Sequence, residues 1–293
     1  MKVKYLVDIK SKKQIGYMAA AGKILASCHK EISKMIKPGI TTMEIDKFAE
    51  QYINEHGAKA EQKGYMGFPY ATCASLNDEI CHGFPNHKPL KEGDIVTIDM
   101  VVNLNGWLAD SAWSYAVGKI SKEAEDLMDV TKQCLYLGIK KAVVGNRIGD
   151  IGHEIQSYAE AKGYSVVRDF TGHGIGRIMH DDVEVPHYGR PGRGLRLKEG
   201  MVITIEPMIN IGSYKTKIDS NEWTARTIDG SLSAQYEHTI AITENGPLIL
   251  TDQDNIEQTI LQKNSRVNLL KLVREFFYHC FGMYRPSITW KGA

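Results

Sequence analysis

Residues 90–99 read Leu-Lys-Glu-Gly-Asp-Ile-Val-Thr-Ile-Asp, and residues 197–206 read Leu-Lys-Glu-Gly-Met-Val-Ile-Thr-Ile-Glu. Both stretches carry a Lys-Glu-Gly turn before a β-branched run, at an offset of 107 residues. A second match lies upstream at an offset of 106 and pairs Ile45, Tyr52 and Gly57 with Ile151, Tyr158 and Gly163. A lone turn motif before a strand is ordinary, but the upstream match is independent of it. Together they predict two halves built on one plan, with helices followed by strands.

Periodicity and capping signals predict the elements of each half. Ser11 is a candidate helix cap, and Thr41 with Glu44 has the spacing of a capping box. The predicted helices cover 11–36, 42–56, 121–142 and 149–162. β-Branched and apolar runs predict strands over 94–102, 107–117, 201–209 and 236–243.

Composition indicates a globular, cytoplasmic protein. The chain has 293 residues, 43% hydrophobic and 24% charged, with a formal net charge of +1. This balance gives no reason to expect a sequence-specific DNA partner. No apolar run is long enough to cross a membrane, and the N-terminus lacks the pattern of a secretory signal. The cysteines are few and scattered, which fits a reducing compartment; they are Cys28, Cys73, Cys81, Cys134 and Cys280.

Several ionisable residues lie within or beside the predicted strands. Asp99 ends the first repeat and Glu206 ends the second, so the repeat places carboxylates at equivalent positions. Asp110 follows Asp99 across the turn of a predicted hairpin, Glu237 borders another apolar run, and His173 lies in Gly-His-Gly-Ile-Gly. Each residue taken alone could be a surface, turn or core residue.

As a set, these residues suggest a metal site. Clustered carboxylates without a counter-charge would repel one another and raise their pKa values. Two divalent cations would balance four carboxylates, which favours a two-metal hydrolytic site. Oxygen ligands with one imidazole favour Mn, Fe, Co or Zn over thiophilic ions.

The ordered motifs resemble type I methionine aminopeptidases from about residue 11 to residue 251. They include Cys-His-Gly-Phe-Pro at 81–85, Thr-Ile-Asp at 97–99, Gly-His-Gly-Ile-Gly at 172–176, Met-His-Asp-Asp at 179–182 and Ser-Ala-Gln-Tyr-Glu-His-Thr at 233–239. The resemblance implies an α+β "pita-bread" fold, in which two pseudo-symmetric halves share a curved, mostly antiparallel sheet flanked by helices. It also implies removal of the N-terminal methionine from peptides and nascent chains, best before a small second residue.

The resemblance assigns roles to individual residues. Asp110 and Glu237 would bridge two metal ions, Asp99 would complete one coordination sphere, and His173 with Glu206 would complete the other. Glu206 would also shuttle a proton, His180 would stabilise the developing oxyanion, and His82 would contact the amide next to the scissile bond. Without the motif, His82 and His180 read as surface or packing histidines.

The resemblance also outlines the methionine pocket and a second ion site. The pocket wall would include Tyr65, Phe68, Cys73, Met179 and Trp223. Phe68 and Met179 replace the Tyr and Phe that bacterial members usually carry, which leaves pocket size open. Asn77 and Ser233 correspond to positions that hold a monovalent cation in some members.

The resemblance divides the chain into a catalytic domain, 1–251, and an extension, 252–293. The domain would comprise halves at about 11–120 and 121–251. From Lys263 onward the extension carries six Lys or Arg and one Glu, with apolar residues at helical spacing. It could pack on its own domain or form an amphipathic helix for a membrane surface or a partner such as the ribosome.

Two alternatives remain at this point, and a monomer is the plain expectation for oligomeric state. An X-Pro aminopeptidase would share the fold, but such enzymes usually carry an additional N-terminal domain, for which these motifs begin too early. A non-catalytic peptide-binding relative would be expected to have lost ligands, whereas all five candidates are present.

Overall fold

A computed structural model describes residues 7–253 of the chain. Its four α-helices confirm the predicted helical segments. They are α1 (Lys12–Met35), α2 (Thr42–Glu55), α3 (Lys122–Lys141) and α4 (Ile148–Ala161). Ser11 caps α1 and Thr41 caps α2, each within a complete capping box. These boxes satisfy amide groups that a helix start otherwise leaves unpaired.

The strands are short except for one long hairpin. This hairpin joins β4 (Ile95–Leu104) and β5 (Trp107–Ala116), whose register sets Val101 opposite Asp110. The remaining strands of the first half are β1 (Lys59–Ala60), β2 (Cys73–Leu76) and β3 (Glu79–Cys81). Those of the second half are β6 (Ser165–Val166), β7 (Gly172–His173), β8 (Glu184–Val185), β9 (Val202–Ile205), β10 (Met208–Asn210), β11 (Thr216–Ile218), β12 (Ala225–Thr227), β13 (Ser233–Gln235), β14 (His238–Thr243) and β15 (Gly246–Ile249).

Strand pairing is antiparallel at every described ladder. β4 pairs with β1, β2 and β5, while β14 lies between β9 and β15. The other sheets have the orders β13-β10-β6, β11-β12-β3 and β7-β8. Helices pack on these sheets around two main cores: α1 and α2 cover the β4–β5 hairpin, and α3 and α4 cover the strands of the second half.

One predicted strand is interrupted. The expectation of a continuous strand over 201–209 is wrong, because pairing stops after Ile205 and resumes at Met208. Pro207 has no backbone N–H and cannot donate to a ladder. The break releases Glu206 from regular pairing, and its N–H donates instead to His187 Nε2 at 3.0 Å. Similarly, the run predicted over 236–243 is a strand only from His238.

The two halves meet where residues 110–114 of β5 lie beside residues 235–239, a boundary called the seam below. The Glu237 N–H donates to the Ala112 carbonyl at 2.8 Å, and Ser111 Oγ donates to the Glu237 carbonyl at 2.8 Å. The Asp110 N–H donates to Thr239 Oγ1 at 2.9 Å. These bonds fix Asp110 and Glu237, which come from different halves, against each other.

The domain limits at about 120 and 251 stay predictions, as does the helix predicted from Lys263, which lies outside the described residues. Within residues 7–253, no helix is long and apolar enough to cross a membrane.

Candidate metal centre and its cavity

The predicted ligands converge on one point of the seam. Ligand atoms of Asp110, His173 and Glu237 all lie within 4.8 Å of one another. His173 Nε2 is 3.5 Å from Asp110 Oδ2 and 3.7 Å from Glu206 Oε1. The carboxyl group of Asp99 contacts that of Asp110. The structure therefore brings together all five residues predicted as ligands.

His173 is held with one ring nitrogen facing the carboxylates. Its backbone N–H donates to Thr204 Oγ1 at 2.9 Å, and its ring Nδ1 lies 3.1 Å from the Gly174 carbonyl. Because a carbonyl only accepts, the contact assigns a proton to Nδ1. Nε2 faces Asp110 and Glu206 and is the ring nitrogen placed to bind a metal.

The Glu206 carboxylate is oriented by side chains of β9 and β13. Thr204 Oγ1 donates to Glu206 Oε1 at 2.8 Å, and Gln235 Nε2 donates to Oε2 at 3.3 Å. His187, which the sequence did not single out, fixes the backbone of Glu206 from the other side. One carboxylate thus has defined partners for both oxygens.

Burial dominates the electrostatics of the cluster. It raises the pKa of Asp110 to about 7 and that of Glu206 to about 8. Burial, followed by the neighbouring Asp110 carboxylate, raises the pKa values of Asp99 and Glu237 well above their ordinary range. These shifts mean that the protein alone does not supply enough positive charge to keep the four carboxylates ionised.

The residues fit divalent cations. Asp110 Oδ1 and Glu237 Oε1 are buried without a hydrogen-bond partner, an arrangement that costs free energy unless another group binds them. Among the described side chains that line the adjoining cavity, none is Lys or Arg. Unpaired carboxylate oxygens beside an imidazole nitrogen match the ligands that Mn, Fe, Co and Zn accept.

An apolar cavity of about 360 Å³ opens onto this centre. Its lining includes the predicted pocket residues Tyr65, Phe68, Cys73, Met179 and Trp223 and the predicted catalytic residues His82 and His180. The Phe68 and Trp223 rings pack edge to face with their centroids 5.1 Å apart. This part of the wall is therefore apolar and aromatic, which suits an extended apolar side chain.

His82 and His180, two of the cavity histidines, are neutral near pH 7. Burial lowers the pKa of His82 to about 4. Burial, followed by His173 and His82, lowers the pKa of His180 to about 4 as well. His180 Nδ1 lies 2.9 Å from the Tyr65 hydroxyl, and His82 packs edge to face on Phe170 with centroids 5.5 Å apart. A neutral imidazole can donate one hydrogen bond without adding charge.

Gln62 is a cavity residue that the sequence did not predict. Strand β1 ends at Ala60. Beyond it, the Gln62 side chain hydrogen-bonds to the backbone of β4. Its Oε1 accepts from the Val101 N–H at 2.8 Å, while Nε2 lies 3.3 Å from both the Asp99 carbonyl and Cys73 Sγ. No local sequence pattern predicts this role. A side chain that hydrogen-bonds to a strand in place of a neighbouring strand's backbone can be recognised only when the sheet is known.

The predicted monovalent-cation residues lie outside this cavity. The Asn77 side chain accepts from the Ile95 N–H and donates to Asp94, each at 3.0 Å. The Asn77 carbonyl accepts from the Ser233 N–H at 2.9 Å. Ser233 Oγ is buried without a hydrogen-bond partner. The two residues are adjacent, and the ion itself stays a prediction.

Comparison with known proteins agrees with this architecture. Residues 16–244 match the model of metallopeptidase family M24. A methionine aminopeptidase of Clostridium acetobutylicum is 51% identical over 247 residues, covering 84% of this chain and 99% of that protein. The crystal structure of the Rickettsia prowazekii methionine aminopeptidase superposes with a TM-score of 0.83 at 46% identity, covering 84% of this chain and 100% of that one.

A more distant structure shares only the fold. Prolidase from Pyrococcus furiosus has a TM-score of 0.67 at 23% identity, covering 83% of this chain and 65% of that one. The high identity over nearly full-length relatives confirms the pita-bread fold and the resemblance read from the motifs. The chain belongs to metallopeptidase family M24 and, within it, to the methionine aminopeptidases.

Proposed function

We propose that this chain is a divalent-metal aminopeptidase that hydrolyses the peptide bond after an N-terminal methionine. The observation that carries the proposal is the cluster of Asp110, His173 and Glu237, which borders an apolar cavity rather than open solvent. Similarity to methionine aminopeptidases over most of the chain supports the same substrate.

Asp99, Asp110, His173, Glu206 and Glu237 would hold the metal ions. Bound divalent ions acidify water and polarise a carbonyl, and this is the chemistry that peptide hydrolysis needs. Manganese, iron, cobalt and zinc all fit the donor set, and two ions would balance the four carboxylates.

The side chains around the ligands would carry out the remaining tasks. Glu206 is the proposed proton shuttle from the attacking water to the leaving amine, because its carboxyl group borders the cavity. If the Tyr65 hydroxyl donates to His180 Nδ1, the single ring proton is on Nε2, from which it can donate to a developing oxyanion. His82 would hold the amide that follows the scissile bond.

Substrate choice would follow from the cavity wall. Phe68 and Trp223 provide flat apolar faces, and Met179 and Cys73 provide polarisable sulfur. Sulfur and aromatic contacts favour an unbranched thioether side chain. A branched leucine side chain is expected to fit less well.

Peptide hydrolysis by metal-free and Mn- or Co-reconstituted protein tests the proposal. The substrates are Met-Ala-Ser, Leu-Ala-Ser and Ala-Pro-Ser. The expected result is metal-dependent release of methionine from the first peptide, with little release from the other two. Preferential cleavage of Ala-Pro-Ser would instead indicate an X-Pro aminopeptidase. Folded protein that cleaves none of the peptides with any metal would indicate a non-catalytic peptide-binding relative.

The setting and partners are inferred from chemistry. The described cysteines, Cys28, Cys73, Cys81 and Cys134, are free thiols, which supports a reducing cytoplasm. Nascent chains are the expected substrates there, and a monomer is the expected state. The ribosome stays a predicted partner of residues 263–293; unchanged ribosome co-sedimentation after their deletion would exclude it.

A further inference from the structure

A buried ion pair lies behind the turn that carries two cavity residues. The Lys10 side chain is only 1% exposed, and its Nζ is 3.6 Å from Asp181 Oδ2. Its other carboxylate neighbour, Asp8, lies at 3.5 Å but is 62% exposed. Asp181, at 12% exposure, is therefore the partner that neutralises Lys10 inside the protein. A buried ammonium is stable only when such a charge is close.

Asp181 organises the segment 174–183, called the Met-His turn below. Its Oδ1 accepts from the Val183 N–H at 2.9 Å, and its own N–H donates to the Gly174 carbonyl at 3.0 Å. The Gly174 N–H donates to the Val183 carbonyl at 2.8 Å. The Asp181 carboxylate thus neutralises Lys10 and binds the Val183 N–H, beside the backbone bonds that close the base of the turn.

The ion pair also explains the glycines on both sides of Ile175. A Cβ atom at Gly174 would lie 1.7 Å from Asp181 Oδ1, and one at Gly176 would lie 2.7 Å from Lys10 Cε. Both values are too short for real contacts. Gly174 and Gly176 therefore leave room for the Asp181 and Lys10 side chains.

The Met-His turn presents Met179 and His180 to the cavity. His180 has its Nδ1 2.9 Å from the Tyr65 hydroxyl and its ring centroid 4.2 Å from that of His173. Lys10 and Asp181 are not among the residues that line the cavity. Asp181 is joined to the cavity by the turn itself, which also carries Met179 and His180.

We propose that Lys10 and Asp181 are positioning residues that hold the Met-His turn, so that Met179 and His180 keep their places in the cavity. The proposal rests on the proposed function for its catalytic consequence. If the pair is broken, the remaining charge is buried without a partner, and the turn must move to reach water. Small displacements of aligned groups lower rates strongly.

The test uses the full chain reconstituted with metal. Lys10→Met and Asp181→Asn each remove one charge at nearly constant size. Either change should lower kcat for Met-Ala-Ser about tenfold or more and reduce the preference for Met-Ala-Ser over Leu-Ala-Ser. Hydrogen exchange should rise in the Met-His turn but not in α2. The double variant should be no worse than the more impaired single variant, because it leaves no unpaired charge.

Two controls separate this role from ordinary charge loss. Asp8→Asn removes the charge of the exposed neighbour of Lys10. Lys34→Met breaks the exposed ion pair of Lys34 with Glu31 in α1. Both should keep kcat and the exchange of the Met-His turn close to wild type, since exposed pairs contribute little.

Normal kcat, substrate preference and turn exchange in both single variants would overturn the proposal. Exchange raised throughout the protein would also overturn it, because the pair would then stabilise the fold and not the turn. If the single variants do not fold, Lys10→Arg replaces them, because it keeps the charge but cannot occupy the same place beside Asp181, and normal preference and turn exchange in that variant would overturn the proposal. Failure of wild-type protein to release methionine would refute the proposed function, while the exchange comparison would still test the ion pair.

Discussion

His173 Nε2 lies 3.5 Å from Asp110 Oδ2, although one residue belongs to β7 and the other to the β4–β5 hairpin. The contact crosses from one half of the chain to the other. A metal ion held there would therefore connect the halves as well as support catalysis, and its removal should affect both stability and activity.

Metal binding should raise the melting temperature, and Glu237 should be one of the ligands responsible. At a metal concentration about a hundredfold above Kd, wild-type protein should gain about 3 kcal/mol of stability, and chelation should reverse the gain. Glu237→Gln removes a buried ligand and should abolish most of this effect. Glu244→Gln changes an exposed carboxylate near the same strand and should retain it. Equal thermal shifts in the two variants would remove Glu237 from the ligand set.

Trp223→Ala should raise KM for Met-Ala-Ser about tenfold, because the pocket loses its largest apolar face. The kcat value should change less, since the indole is not placed at the reacting atoms. Steady-state kinetics with wild type and Tyr214→Ala, a partly exposed aromatic outside the cavity, provide the comparison. An unchanged kcat/KM would exclude Trp223 from the pocket.

Gln62→Leu should weaken metal binding about tenfold, as is typical when groups that orient ligands are lost. The variant leaves the Val101 N–H without its partner and removes the Gln62 contact with the Asp99 carbonyl, so β4 can shift beside Asp99. Calorimetric titration of metal-free protein measures the change. Gln51→Leu removes an exposed glutamine bonded to Glu55 and should bind metal like wild type. Equal affinities for the two variants would contradict the role given to Gln62.

His29 should make stability depend on pH below neutrality. Burial lowers its folded-state pKa from 6.5 to about 4. The unfolded chain takes up a proton as pH falls through 6.5, whereas the folded protein does not until about 4, so stability is lost across that window. Between about pH 7 and pH 5 this group accounts for ~2 kcal/mol.

The variant His29→Gln isolates this contribution. Glutamine can still donate to the Ser111 carbonyl, which lies 3.0 Å from His29 Nε2, but it does not titrate. Urea unfolding at the two pH values should show a smaller difference for this variant than for wild type. His87→Gln, at an exposed position, should behave like wild type. Parallel pH profiles for all three proteins would argue against His29.

Two glycines of α1 should respond in opposite directions to alanine. A Cβ at Gly22 would lie 2.0 Å from the Leu250 carbonyl oxygen, whereas one at Gly16 meets nothing within 4 Å. Gly22→Ala should therefore destabilise the protein by about 2 kcal/mol or more. Gly16→Ala should stabilise it by up to about 1 kcal/mol, because alanine favours the helix. Denaturant unfolding distinguishes the two, and stabilisation by both would mean that α1 does not pack closely on residue 250.

Local signals determined much of this protein from sequence alone. Helical periodicity and the capping boxes at Ser11 and Thr41 predicted α1 and α2, since both depend on residues within a few positions of each other. The hairpin and the ligands Asp99 and Asp110 could be predicted because carboxylates in β-branched runs need a partner. The ordered motifs supplied the family.

Only the tertiary structure decided which distant groups meet. Gln62 replaces a strand beside Asp99, and Lys10 neutralises Asp181 behind the Met-His turn, yet neither residue carries a local pattern. Glu206 leaves its strand because Pro207 cannot pair, and His187 then holds its backbone. Such contacts depend on the path of the whole chain, so spacing along the sequence cannot reveal them. Periodicity and capping are properties of neighbouring residues, whereas a buried charge is satisfied by whichever partner the fold brings to it.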